Sequence, residues 1–119
     1  MIGELQLQVM EVIWDAGDAT VAEVHTALQD ERPLAYTTVL STMRGLERRG
    51  YLAHTKEGKA HRFHARVSRD EHTRVTVDSL VTSLFRGQPE QLMSHLLGDE
   101  ALDQDAVARI RKLLDEEAS

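Results

Sequence analysis

The 119-residue sequence has no cysteine, no asparagine and only two prolines, and aromatic residues make up just 4% of it. Without thiols there is no disulfide framework, no thiolate metal site and no cysteine nucleophile. No apolar run approaches the ~18 residues needed to cross a bilayer, and the opening MIGELQLQ lacks the basic and apolar regions of a secretory signal. These absences point to a cytoplasmic protein with no membrane partner. HExxH and glycine-rich phosphate-loop motifs are also missing, and the Ser, His and Asp residues are scattered over predicted surfaces. An enzyme is therefore not expected, and no catalytic residue and no cofactor is assigned.

What is present is an ordinary globular composition, 41% hydrophobic and 29% charged, with an uneven distribution of charge. The formal net charge is −6. Residues 1–43 carry one Lys or Arg against seven Asp or Glu, and residues 67–119 carry six against eleven. Residues 44–66 invert the balance, with seven against two. One basic window between acidic flanks is the electrostatic footprint of a nucleic-acid contact. A solvated charged face is the plainer alternative.

Apolar periodicity gives the elements. Leu5, Val9, Val12 and Ile13 predict a first helix, closed by Asp15-Ala16-Gly17-Asp18. Thr20 and Glu23 form a capping box for a second helix with Val21, Val24 and Leu28 as its buried stripe, ending near Asp30. A third runs from about Tyr36 to Arg49 and stops at Gly50. The period then changes. YLAHTK and AHRFHARV read as two strands joined through Glu57-Gly58-Lys59. Ser68 and Glu71 cap a helix reaching Arg86, although Arg74-Val-Thr-Val alone has strand propensity. Pro89 opens PEQLMSHLL, which ends at Gly98, and Asp103 caps a last helix with the stripe Val107, Ile110, Leu113 and Leu114. The expected fold class is mainly α with a small β-hairpin wing. It comprises a winged helix-turn-helix over residues 1–67 and a helical dimerisation domain over 68–119. So short a C-terminal segment rarely builds its own core, so Val77, Leu80, Val81, Leu84, Leu92, Leu96, Ile110, Leu113 and Leu114 are assigned to a homodimer interface; the alternative is that these helices fold back on the N-terminal unit in a monomer.

At 100° per residue, Tyr36, Val39, Leu40, Met43 and Leu46 share the core side of the third helix. The opposite side carries Thr37, Ser41, Arg44 and Arg48 in one line, with Thr38 and Thr42 beside them and no carboxylate. Small hydroxyls allow close approach to a groove, and guanidinium groups bind either guanine edges or phosphates. Lys56, Lys59, Arg62 and Arg66 add positive charge to the hairpin, and if Phe63, Ala65 and Val67 face inward, Arg62, His64 and Arg66 face out.

The stretches QVMEVIWDAGDATVAEVHTAL, LAYTTVLSTMRGLERRGYL and KEGKAHRFHARVSRDE resemble the penicillinase-repressor family (BlaI/MecI/CopY type) over roughly residues 4–71. The resemblance implies a dimeric transcriptional repressor on a palindromic operator in double-stranded DNA. The recognition helix, about 36–49, would enter the major groove, and the wing, about 51–67, would meet the backbone or minor groove. Thr37, Thr38, Ser41, Thr42 and Arg44 would lie on the recognition helix, and Lys59 and Arg62 on the wing; Arg48 and Lys56 extend this set from the residue pattern. In the family, release comes from a sensor protease or another signal. Staphylococcal-type members are cut at an Asn-Phe bond and copper-responsive members use paired cysteines, and this chain has neither residue type. Ala35 stands where a hydroxyl cap would suit the recognition helix. Two alternatives remain at this stage. One is a metal-responsive sensor using His54, His61 and His64, although residues 61 and 64 of one strand point to opposite faces. The other is a winged-helix protein-interaction module.

Overall fold

Glycine and a capping threonine set the first turn of the fold. The computed structural model describes residues 2–98 and 102–118. Helix α1 (Glu4–Ala16) ends at Gly17, whose φ of 90° is open to a residue without a Cβ. Strand β1 (Asp18–Thr20) follows, and α2 (Val21–Leu28) starts at once. The expected capping box is formed: the Glu23 N–H donates to Thr20 Oγ1 at 3.1 Å, and the Thr20 N–H donates to Glu23 Oε1 at 2.9 Å. After the turn comes α3 (Tyr36–Arg48), then β2 (Leu52–Glu57) and β3 (Ala60–Ala65). Gly50, at φ 85°, reverses the chain between α3 and β2.

The hairpin is not isolated, as the sequence reading had it. β3 is the middle of a three-stranded antiparallel sheet ordered β1-β3-β2. Ala19 pairs with Phe63 on one side, and His54 pairs with Phe63 on the other. β1 was missed because three residues cannot display a period of two; its partner lies more than 40 residues away. The hairpin connection is Gly58-Lys59, with Gly58 at φ 64° supplying the left-handed residue that tight hairpins require.

One core unites these elements. Val9, Met10, Ile13, Val24, Val39, Met43, Leu46, Leu52 and Phe63 are all buried. Leu5, Val12, Trp14, Leu34 and Leu40 pack against them as half-buried neighbours. Removing such surface from water contributes roughly 25 cal/mol per Å², and this is what orients α3 against the sheet.

Helix α4 (Arg69–Phe85) starts under a Ser68 cap, whose Oγ accepts the Glu71 N–H at 3.0 Å. Its first turns are tied down locally. Trp14 Nε1 donates to the Val67 carbonyl at 2.8 Å, Arg69 pairs with Asp15 at 2.7 Å and lies over the Trp14 ring, and His72 sits beside both Trp14 and Tyr51. The strand-prone Arg74–Val77 run is helical, so the cap and the longer apolar period outweigh local propensity.

The chain divides into two units, Met1–Val75 and Thr76–Ser119. The second contains the rest of α4, then α5 (Pro89–Gly98) and α6 (Gln104–Ala118), the last capped by Asp103, which accepts the Ala106 N–H at 2.7 Å. No residue of α4 or α5 is buried, and Val77, Leu84, Leu113 and Leu114 are exposed apolar side chains. Leu80, Val81, Leu92, Leu96 and Ile110 are half-buried.

Candidate nucleic-acid interface

Helix α3 is amphipathic in a particular sense: one side is core and the other has no acid. Val39, Met43 and Leu46 are fully buried and Leu40 is half-buried. Tyr36, expected with them, is not part of the core. It is 47% exposed and meets His25 edge-on at 5.8 Å. At the first helical residue the adjacent surface is the α2–α3 turn, not the core, so much of the side chain stays open to water. That turn is closed by the Leu34 carbonyl, which lies 2.7 Å from His25 Nε2 and accepts from Gln29 Nε2 at 3.1 Å.

On the solvent side, Thr37, Thr38, Ser41, Arg44 and Arg48 are all exposed. Thr42 is half-buried, and its hydroxyl donates to the Thr38 carbonyl at 2.8 Å. Ala35 is the N-cap and supplies no side-chain bond, while the Thr38 N–H bonds to its carbonyl. The start of the helix therefore keeps its positive end open to an anion. Glu47, the only carboxylate on α3, turns toward the hairpin, where it bonds His54 Nδ1.

Lys56 and Lys59 are exposed on the hairpin, as are His64 and Arg66. Arg62 differs. It lies on the outer face, as alternation predicts, but its charge is already engaged. Nε donates to Glu57 at 2.7 Å, and Nη1 reaches Asp18 at 2.9 Å and Glu23 at 3.1 Å. The sheet register explains the cage. Thr20 is directly opposite Arg62, so Asp18 is one diagonal neighbour, and Ala60 opposite Glu57 makes Glu57 the other. Glu57 first, and Asp18 next, hold the guanidinium pKa well above its usual value. The sequence reading missed this strut because two of its three acids lie about 40 residues from Arg62.

The wing histidines are also resolved. His54 and His61 are diagonal neighbours across β2 and β3, and their rings stack at 4.2 Å with planes 8° apart. His64 faces away from them and is exposed. Among the described residues, no group of three or more His, Asp or Glu is arranged to hold a metal ion, and no helix is long and apolar enough to cross a membrane.

The sequence matches the "Penicillinase repressor" family over residues 2–116. It is 30% identical over 117 residues to the transcriptional regulator BlaI of Mycobacterium tuberculosis, covering 97% of this chain and 83% of that one. It is 22% identical over 115 residues to the penicillinase repressor of Bacillus licheniformis, covering 97% and 90%. The solution structure of the DNA-binding domain of the repressor BlaI superposes with a TM-score of 0.55 at 25% identity, covering 60% of this chain and 87% of that domain.

Proposed function

The chain belongs to the penicillinase repressor family, and on that premise we propose that it is a transcriptional repressor binding a palindromic operator as a homodimer. The family is one of repressors, not enzymes. The observation that carries the DNA reading is the solvent side of α3, where Thr37, Ser41, Arg44 and Arg48 form an exposed row without a carboxylate. In this reading α3 enters the major groove, Thr37, Thr38 and Ser41 meet phosphates near its open N-terminus, and Arg44 and Arg48 reach base edges or phosphates. Thr42 supports the row from beside it. Lys56 and Lys59 contact the backbone from the wing, and Arg62 sets the wing's position without spending its charge on DNA.

The division of labour is between residues 1–67, which read DNA, and 68–119, which dimerise. Exposed Val77, Leu84, Leu113 and Leu114 support the second assignment. So does the size of the segment, since about 50 residues seldom bury such stripes alone; Leu80, Val81, Leu92, Leu96 and Ile110 complete the apolar set. Two-fold symmetry then requires a dyad-symmetric site, with half-site centres about 10 bp apart or a multiple of that. This sequence holds no asparagine, so cleavage at an Asn-Phe bond within it is excluded, and both a sensor protease acting at another bond and a different releasing signal fit the reading. The test is selection of duplexes from the source genome by the full-length protein. Enrichment of dyad-symmetric sites with that spacing is expected; retention of sheared DNA without sequence preference would overturn the reading.

A further inference from the structure

Between α3 and the hairpin lies a cleft of about 530 Å³, inside the ~300–1,000 Å³ range of small-molecule sites. Its open apolar surface comes from half-buried Leu40 and from Tyr36, nearly half of whose surface is open; Val21 and Phe63 also line it but are themselves buried. Arg44, Arg48 and Lys59 line the same space, and among the described residues no ion pair engages them. Glu47 is the one carboxylate in the lining, and it is committed to His54. The parallel imidazoles of His54 and His61 provide a flat wall.

We propose that this cleft binds a planar aromatic carboxylate, with its ring between the apolar surface and the aromatic side chains and its carboxylate on Arg44 or Arg48. A sugar-phosphate backbone can satisfy the arginines, but it is hydrated and leaves an apolar surface wet. An aryl group covers Leu40 and the Tyr36 ring and gains the hydrophobic term for that area, while a carboxylate matches the two-pronged guanidinium. A neutral aryl compound meets only half of the site, and an inorganic anion only the other half. The consequence for regulation rests on the DNA reading above. Arg44 and Arg48 cannot serve operator and ligand together, so each ligand must weaken the other by the same factor. The cleft is thereby a release site built into the DNA-reading surface.

The test uses the full-length protein and 1-naphthoate as probe, with 1-naphthalenemethanol as its uncharged analogue. In a 15N–1H correlation titration without DNA, saturable shifts are expected at Tyr36, Leu40, Arg44, His54 and His61. The uncharged analogue should bind about tenfold more weakly or worse, since it lacks the charge-assisted contact. Ala22→Phe, which projects a ring into the cleft from exposed Ala22, should abolish saturation while leaving operator affinity without probe within about twofold. The probe should lower the operator affinity of the unsubstituted protein and not that of Ala22→Phe. Shifts outside the cleft, no shifts, or equal binding of the uncharged analogue would overturn the site. Saturable binding with unchanged operator affinity would overturn the release role. Failure to bind any operator without probe counts against the repressor reading alone, because the titration decides the cleft independently.

Discussion

Arg62 and Asp18 meet at 2.9 Å across the β1–β3 pair, and this contact joins the wing to the strand that leads into α2. Because Glu57 and Glu23 bind the same guanidinium, Arg62 is a brace between the hairpin and the first half of the helix-turn-helix. Arg62→Gln should weaken operator binding by loosening the wing, yet leave the slope of log K against log salt unchanged. Lys59→Gln should reduce that slope by about 0.9, the value for one phosphate contact. Measuring both slopes separates brace from contact; a reduced slope for Arg62→Gln would mean that Arg62 binds DNA directly.

Glu23 carries a pH signature. Its carboxylate accepts the Thr20 N–H and lies near Arg62, which together lower its pKa from the usual value, with the Thr20 backbone bond as the largest cause. A depressed carboxylate stabilises the fold above its unfolded pKa and loses that contribution as the pH falls through its folded pKa. Glu23→Gln should therefore melt below the unsubstituted protein at neutral pH, and the two melting curves should converge once the medium is acid enough to protonate Glu23. A gap that widened toward acid would contradict the assignment.

Phe63 is the central buried residue of the sheet, 2% exposed and paired with both Ala19 and His54. Phe63→Ala should cost ~3–5 kcal/mol. In urea this reads as a lower midpoint at an unchanged m-value. The same truncation at Leu84, which is 68% exposed, should barely move the unfolding of the first unit.

If the second unit dimerises as proposed, Leu84 reports on assembly. Leu84→Glu should shift sedimentation from dimer toward monomer and weaken operator binding about tenfold or more, since each half-site then binds without its linked partner. A dimer with full affinity would remove Leu84 from the interface.

Arg44 is exposed on the row facing away from the core. If it reads a guanine, Arg44→Ala costs ~1–3 kcal/mol and flattens base preference at one position of each half-site. A loss spread evenly over all sequences would make it a phosphate contact.

How much of this was legible in the chain follows the reach of each interaction. Helix α2 was readable to its cap because Thr20 and Glu23 are three residues apart, and the bonds between them are local. The division of α3 was equally legible, apart from Tyr36, since Val39, Met43 and Leu46 obey the helical period and are the residues found buried. β1 was not legible. Its three residues owe their extended shape to backbone bonds with β3, and nothing in Asp18-Ala19-Thr20 encodes that partner.

By itself, then, the sequence determined the helices, their caps, the hairpin turn and the acid-free side of α3, all products of period and neighbouring chemistry. Tertiary structure alone decided which of the basic residues keep a free charge. Arg48 and Arg62 are the same residue type in one basic window. Folding carries Asp18, Glu23 and Glu57 to Arg62, while among the described residues no ion pair engages Arg48. A guanidinium's availability depends on the carboxylates within a few ångströms of it, and that distance is set by the packing of the sheet against α2, not by spacing along the chain.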